Sequence, residues 1–423
     1  MLTFRRADGG DRFPSETNAD GLVAPSGAAP RPTRLLILGG DADGNLGDRA
    51  ILEGLCSVAR QLHPDIAISA VTSNPARCRD RLRATAIAPG PKGFLGLCAA
   101  ARRSDLVICG GGGLFQDDDS LIKMPYWALR LLLMRLLSRR VVGFSLGVGP
   151  LKHPVSRFFA RVAFANLSRL SARDPIAAET AQALTRRPVA VVPDPALLLP
   201  MAERADARRL LQSHAVPLEP GTPLIGVAVR RWFPPKARLV PHRIASKFRA
   251  GGAESMSQSD QLLKLLGASL RQMQRDLGAF IVFLPTYNVP HEGDDALCAR
   301  ISAQLAEGRS TIVRIADPAL YKAVTGEFDL MLGGRMHPTI LAAAAGTPIV
   351  GLGYNPKFDG FFSMLGLDAS LIAVEAFVRE RKVDDLVRMM KQAIGRGQGA
   401  AAAAERLGDA CRQALRETLG ETP

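Results

Sequence analysis

The chain has 423 residues, 47% of them hydrophobic, with 54 Lys and Arg against 40 Asp and Glu, which leaves a formal net charge of +14 and a pI near 10.0. That length exceeds one ordinary core, so two domains are expected, and the apolar content excludes a wholly disordered polymer. The charge favours anionic partners, but nucleic acid fits poorly: aromatics make up only 5%, and no zinc-finger, basic-zipper or RNA-recognition signature offers a base-reading surface.

Residues 1–33, rich in Gly, Pro, Ala, Asp and Ser without periodicity, read as a disordered leader. From Arg34 the pattern changes. Leu35 to Leu38 is a buried strand, GGDADGNLGD a glycine and carboxylate turn, and Arg49 to Leu62 a helix, with Asp48 expected to cap it and Asn45 to point toward the strand ends. A strand over Ile66 to Val71 and a helix over Leu95 to Arg103 follow. Asp105 to Cys109 then runs into Gly110 to Gly113, and four glycines after a buried strand expose backbone amides, as ligand loops at strand ends do. Gln116 and Asp117 just beyond are candidate partners for sugar hydroxyls. Tyr126 to Leu137, YWALRLLLMRLL, reads as an amphipathic or buried helix; core packing is the expectation, and contact with an acidic bilayer is the alternative.

Val141 to Leu146 is the next strand. A helix around Phe158 to Leu167, a short strand near Leu170 followed by Arg173-Asp174, and Val189 to Val192 ending in Pro193-Asp194-Pro195 complete a domain over 34–200. Residues 201–222 read as a helical linker. A second strand and helix series over 223–373 opens with Leu224 to Val229, which delivers Arg230, Arg231 and Trp232. From Thr222 to Ala253 there are seven Lys or Arg and no acid, read in its outer part as a solvated surface loop. Gln261 to Leu277 is a helix, Phe280 to Leu284 a strand, Ser302 to Glu307 the close of a helix and Thr311 to Ile315 a strand. A helical tail over 374–423 ends the chain. Strands alternating with helices in both halves indicate doubly wound parallel α/β sheets.

Glu327 to Lys357 is the densest stretch. Phe328 to Leu332 is a strand ending in Gly333-Gly334, Arg335 and His337 stand at the turn, and Pro338 suits the first residue of the next helix. The N–H groups and positive dipole of a helix start favour an anion, and Arg335 adds a planar fork for phosphate or carboxylate. A second strand, Ile349 to Gly353, delivers Tyr354 and Lys357 to the same edge. The pattern points to an anion site without naming the anion.

The six cysteines, Cys56, Cys78, Cys98, Cys109, Cys298 and Cys411, form no C-x-x-C pair and read as buried thiols in a reducing compartment. No apolar h-region opens the chain and no run reaches ~18 apolar residues. A cytoplasmic protein is expected, with a peripheral place at the cytoplasmic membrane left open.

Six motifs in order, G-N-L-G-D at Gly44 to Asp48, G-G-G-G-L-F-Q-D at Gly110 to Asp117, D-P-A-L at Asp194 to Leu197, V-R-x-W at Val229 to Trp232, R-M-H at Arg335 to His337 and Y-N-P-K at Tyr354 to Lys357, resemble the polysaccharide pyruvyl transferase family. The resemblance spans roughly Arg34 to Leu371. It implies two Rossmann-like domains in a GT-B-like arrangement with the active site in the interdomain cleft, phosphoenolpyruvate as donor, and a saccharide acceptor whose lipid linkage stays open. It implies that Arg335 and His337 serve the donor. Arg230, Tyr354 and Lys357 join them as donor-binding candidates, and Asn45, Asp48, Gly112, Gln116, Asp117 and Asp194 are acceptor-side candidates. No metal or cofactor is expected. His337 is the candidate acid or base, its charged form disfavoured by Arg335 and the helix start beside it. Two other functions fit the same residues: a GT-B glycosyltransferase using a nucleotide sugar, and a non-catalytic saccharide-binding protein of an export complex.

Overall fold

The computed structural model describes residues 32–39, 45–117, 120–232, 253–287, 293–396 and 400–421. Most of the expected leader, the turn residues 40–44, Asp118, Asp119, most of the basic segment 234–259 and His291 lie outside the described residues.

Seven strands form the first sheet: β1 (Arg34–Leu38), β2 (Ala67–Val71), β3 (Thr85–Ile87), β4 (Leu106–Gly110), β5 (Val141–Leu146), β6 (Arg169–Ala172) and β7 (Ala190–Val191). Their order is β3-β2-β1-β4-β5-β6-β7 and every pairing is parallel. Six strands form the second: β8 (Leu224–Ala228), β9 (Phe280–Phe283), β10 (Ser310–Ile312), β11 (Leu330–Gly333), β12 (Ile349–Gly353) and β13 (Leu371–Ala373). The order β10-β9-β8-β11-β12-β13, again all parallel, repeats the doubly wound arrangement of the first. In such sheets the strand order reverses at one point and opens a crevice beyond the carboxyl ends. Here the reversals lie between β1 and β4 and between β8 and β11, where Leu38 stands beside Cys109 and Ala228 beside Gly333.

Parallel strands are covered on both faces, which is why β4, β5, β8 and β11 are buried along their whole length. Three apolar clusters result. One covers the outer face of the first sheet and contains Phe115, Trp127 and Phe164. A second covers the outer face of the second sheet, around Leu266, Leu270 and Phe377. The third runs continuously from Leu35, Ile51 and Leu55 to Tyr321, Ile340 and Phe358, so the two domains share one interior seam.

Helix Val383–Arg396 packs on helix Ala253–Leu277, and helix Ala401–Thr418 lies across the joint against Pro195–Leu198, Leu46–Leu62 and Met336–Ala344. Arg412 donates to Gln61 at 2.8 Å and Arg140 to the Thr418 carbonyl at 2.7 Å, which tie the tail to the first domain. Strands β3 and β13, three residues each, have no counterpart in the sequence reading. The helix whose close was expected over Ser302 to Glu307 runs from Asp294 to Ser302, with two acidic residues in its first turn where the helix dipole favours them. The helix expected to begin at Pro338 starts at Met336, with Pro338 inside the first turn where its missing N–H costs nothing.

Candidate active site

Helix Met336–Ala344 springs from the carboxyl end of β11, and its first turn points two side chains different ways. Arg335, the N-cap residue, turns to its own domain: Nη2 donates to Asp294 Oδ1 at 2.6 Å, and the guanidinium lies 5.2 Å from the Tyr287 ring centroid. Asp294 is fully buried, and its other oxygen accepts the backbone N–H of Tyr287 at 3.0 Å and of Thr286 at 3.2 Å. A carboxylate so loaded fixes one edge of Arg335 in place.

His337 turns toward the first domain. Its Nε2 lies 3.7 Å from Asp194 Oδ2, with 15% of the side chain exposed and 3% of Asp194. The close approach depends on Gly47: a Cβ there would overlap the imidazole ring. Gly360 does the same service nearby, since a Cβ there would stand 2.7 Å from Asp174 of the first domain.

Asp194 Oδ1 accepts the N–H of Ala196 at 3.0 Å, capping the turn Pro195–Leu198, and Oδ2 lies 3.5 Å from Arg173 Nη1. Arg173 Nε reaches Asp174 Oδ2 at 3.4 Å, and both residues are buried. The backbone below is fixed as well, because buried Ser145, at φ 52, donates its hydroxyl to the Pro193 carbonyl at 3.0 Å. Three buried polar atoms meet here with no hydrogen-bond partner: Arg173 Nη2, Asp194 Oδ2 and His337 Nε2. Asp194 Oδ2 nonetheless stands between the arginine and the histidine at ion-pair distance from both, so the three ionisable groups face one another.

Around the histidine, charges oppose each other. Burial pushes His337 below its ordinary pKa, Asp194 and Asp48 pull it back up, and Arg173 and Lys357 push it further down. The direction matches the sequence expectation, but the cause is burial first, and the cations beside it are Arg173 and Lys357. Burial likewise pushes Asp48 above its ordinary value, against His337, Asn45 and Lys123.

Asn45, not Asp48, caps helix Leu46–Leu62: its side-chain oxygen accepts from Gly47 N at 3.0 Å, and its amide donates to Asp48 Oδ2 at 2.7 Å. Asp48 sits in the first turn, partly exposed. Lys357 crosses the cleft and donates to Gln116 Oε1, while Lys123 donates to the Gly113 carbonyl at 2.7 Å. The Gly112 carbonyl accepts from Gly147 N at 3.0 Å, which ties the glycine loop to the end of β5. On the second domain Arg230 stacks on Tyr354 at 4.3 Å, beside a pocket lined also by Val229, Trp232 and Gly334.

Asp117 corrects the sequence reading. It is 3% exposed, and its two oxygens accept the backbone N–H groups of Lys152 and His153 at 3.0 and 2.8 Å, so it shapes the loop after β5 instead of facing a sugar. Arg173 is the residue that reading passed over. Among the described residues no three His, Cys, Asp or Glu side chains cluster as a metal site requires.

A family model, Polysaccharide pyruvyl transferase, matches residues 45–356, from the Asn45 cap through the R-M-H turn to the end of the Y-N-P stretch. The chain belongs to the polysaccharide pyruvyl transferase family. No curated protein matches it by sequence. Among solved structures it is similar to the UDP-GlcNAc 2-epimerase of Methanocaldococcus jannaschii, with TM-score 0.55, 11% identity, and 88% of this chain and 98% of that one covered. The Neisseria meningitidis UDP-GlcNAc 2-epimerase gives 0.53, 11%, 92% and 100%, and a glycosyltransferase of Rickettsia africae ESF-5 gives 0.51, 9%, 92% and 99%. At such identities the likeness is one of fold: this pyruvyl transferase family member has the GT-B arrangement of two Rossmann-like domains.

Proposed function

We propose that the protein moves the pyruvyl group of phosphoenolpyruvate onto two hydroxyls of a saccharide, forming a pyruvate ketal in cell-surface or exopolysaccharide biosynthesis. The observation that carries this reading is the setting of His337. A titratable group from the R-M-H turn is inserted between Asp194 and Gly47 of the opposite domain, with Arg173 and Lys357 near enough to shift its charge.

Phosphoenolpyruvate brings about three negative charges at neutral pH and needs cations on more than one side. Arg335, Arg230, Lys357 and the N-terminus of helix Met336–Ala344 supply them. Asp294 and Tyr354 orient the two guanidinium planes, so less side-chain freedom is lost on binding. The free cleft favours neutral His337; the trianionic donor favours its charged form and loads the proton.

The protonated imidazole then gives its proton to the methylene carbon. One sugar hydroxyl adds at the central carbon and releases its proton, the carbon–oxygen bond to phosphate breaks, and a second hydroxyl closes the ring while its proton goes to the departing phosphate. Of the two hydroxyl protons, one replaces that spent at carbon and the other leaves as hydrogen phosphate. Cations about the phosphate stabilise the leaving group. Asn45, Asp48 and Gln116 line the acceptor side, and Asp194 steadies the imidazolium.

Purified protein given phosphoenolpyruvate and a panel of cell-surface glycans, free and polyprenyl-linked, should release phosphate in step with donor loss. The product should show a ketal methyl singlet by proton NMR. Nucleoside diphosphate released from a nucleotide sugar, with phosphoenolpyruvate untouched, would reassign the protein to glycosyl transfer. Glycan binding without turnover of either donor would leave it a saccharide-binding protein.

A further inference from the structure

We propose that the outer face of the first domain docks on the surface of an anionic lipid bilayer. Three helices lie side by side over this face: Phe94–Arg103, Lys123–Leu137 and Pro154–Ala165. Each buries one stripe against the sheet, as Met124, Trp127, Ala128, Leu131 and Met134 do on the middle helix. The opposite stripe is apolar too. Ile122, Tyr126, Leu129 and Leu136 recur at helical spacing on the solvent side, with Leu129 64% and Leu136 74% exposed. Leu95 on the preceding helix is 81% exposed and Phe158 on the following one 57%. Of the twelve large hydrophobic side chains exposed among the described residues, nine belong to these helices or to Ile122 just ahead of one, so the exposure is concentrated and not scattered.

The charge on this face names the partner. The three helices carry seven Lys and Arg and no Asp or Glu. Arg102, Arg103, Arg135, Arg157 and Arg161 are exposed, as is Arg139 just past the middle helix. Apolar side chains interspersed with cations, on three helices that carry no acid, suit an acyl boundary beneath anionic headgroups. A second copy would bring the same cations against them and be repelled. Arg130 lies 5.6 Å from the ring of exposed Tyr126, a pairing of cation and amphipathic ring suited to the headgroup level. No helix of the described residues is long and apolar enough to cross a membrane, so the attachment lies on the surface.

Docking sets the cleft's approach. Lys123 opens the middle helix and donates to the Gly113 carbonyl of the glycine loop, so the lipid-facing stripe begins where the cleft wall ends. A lipid-linked acceptor would reach the cleft without leaving the bilayer, a consequence that rests on the saccharide reading above; the docking itself does not.

Flotation of the full chain with vesicles tests the docking apart from catalysis. The protein should float with phosphatidylcholine–phosphatidylglycerol vesicles, release as salt rises, and stay behind with phosphatidylcholine alone. The double variant Leu129→Glu/Leu136→Glu, with unchanged circular dichroism, should bind about tenfold or more weakly. Arg157→Glu/Arg161→Glu, which changes two exposed side chains, should weaken binding by a similar factor and serves if the leucine variant misfolds. Flotation that is absent in the parent protein, or unaltered in both variants, overturns the proposal. A sedimenting dimer abolished by Leu129→Glu/Leu136→Glu overturns it too, because the face would then be a self-interface.

Discussion

Where the strand order of the second sheet reverses, β8 leads through Val229 to Arg230 and β11 leads through Gly334 to Arg335; at the same place in the first sheet, β1 leads to Gly39 and β4 to Gly111. The topology is shared and the chemistry differs. One crevice is armed with guanidinium groups that Asp294 and Tyr354 hold in place, while the other is kept small and is bordered by Asn45 and Asp48 at a helix start. A doubly wound sheet therefore fixes where a ligand sits, and the residues just past the strand ends decide which ligand. His337 belongs to the second domain by sequence and to the first by contact, so neither half is complete alone.

The sharpest way to break this division is Arg335→Ala. If the cationic crevice holds the donor, kcat/KM for phosphoenolpyruvate should fall by about 2 to 4 kcal/mol in transition-state stabilisation. Removing the partner of buried Asp294 should also cost roughly 3 to 5 kcal/mol of fold stability. Adding Asp294→Asn should restore melting temperature but not turnover, which separates the two effects. Next in size, His337→Gln should keep much of the donor affinity and lower kcat roughly a hundredfold, read by phosphate release.

Gly47→Ala probes the seam. Its Cβ would overlap the His337 ring, so a cost of about 1 to 3 kcal/mol in stability is expected together with a loss of turnover. Unchanged melting and kcat would mean that His337 has room to stand elsewhere. The smallest effect is on pH. Burial lowers the folded-state pKa of His337 below the ordinary 6.5, so on acidification the unfolded chain takes up a proton that the fold refuses. Stability should fall as pH drops below about 6.5, level off once the folded group also protonates, and lose this component in His337→Gln.

Much of this division was legible in the chain itself. The Gly-Gly-Arg-x-His-Pro order marks a strand end, a turn and a helix start within a few residues, and glycine runs after apolar strands mark the other wall. What stayed hidden depends on distance along the chain. Arg335 and Asp294 are 41 residues apart. Arg173 and Asp194 come from different strand ends and look, one at a time, like any polar residue after a strand. Asp117 was misread because a carboxylate beside a glycine loop has the same local pattern whether it meets a sugar or two backbone N–H groups. Periodicity was also silent on the helix Lys123–Leu137, where apolar residues occupy both stripes and only packing shows which one the core takes.

If donor binding in the cleft between the two domains raises the proton affinity of His337, a proton is drawn from solvent onto the imidazole on arrival. Calorimetric titration of phosphoenolpyruvate in buffers of different ionisation enthalpy, slightly above neutral pH, counts the protons taken up on binding. The account predicts an uptake approaching one proton for the parent protein, and its loss in His337→Gln while the donor still binds. Binding with no uptake in the parent, or the same uptake in the variant, would contradict it and move the proton to another group.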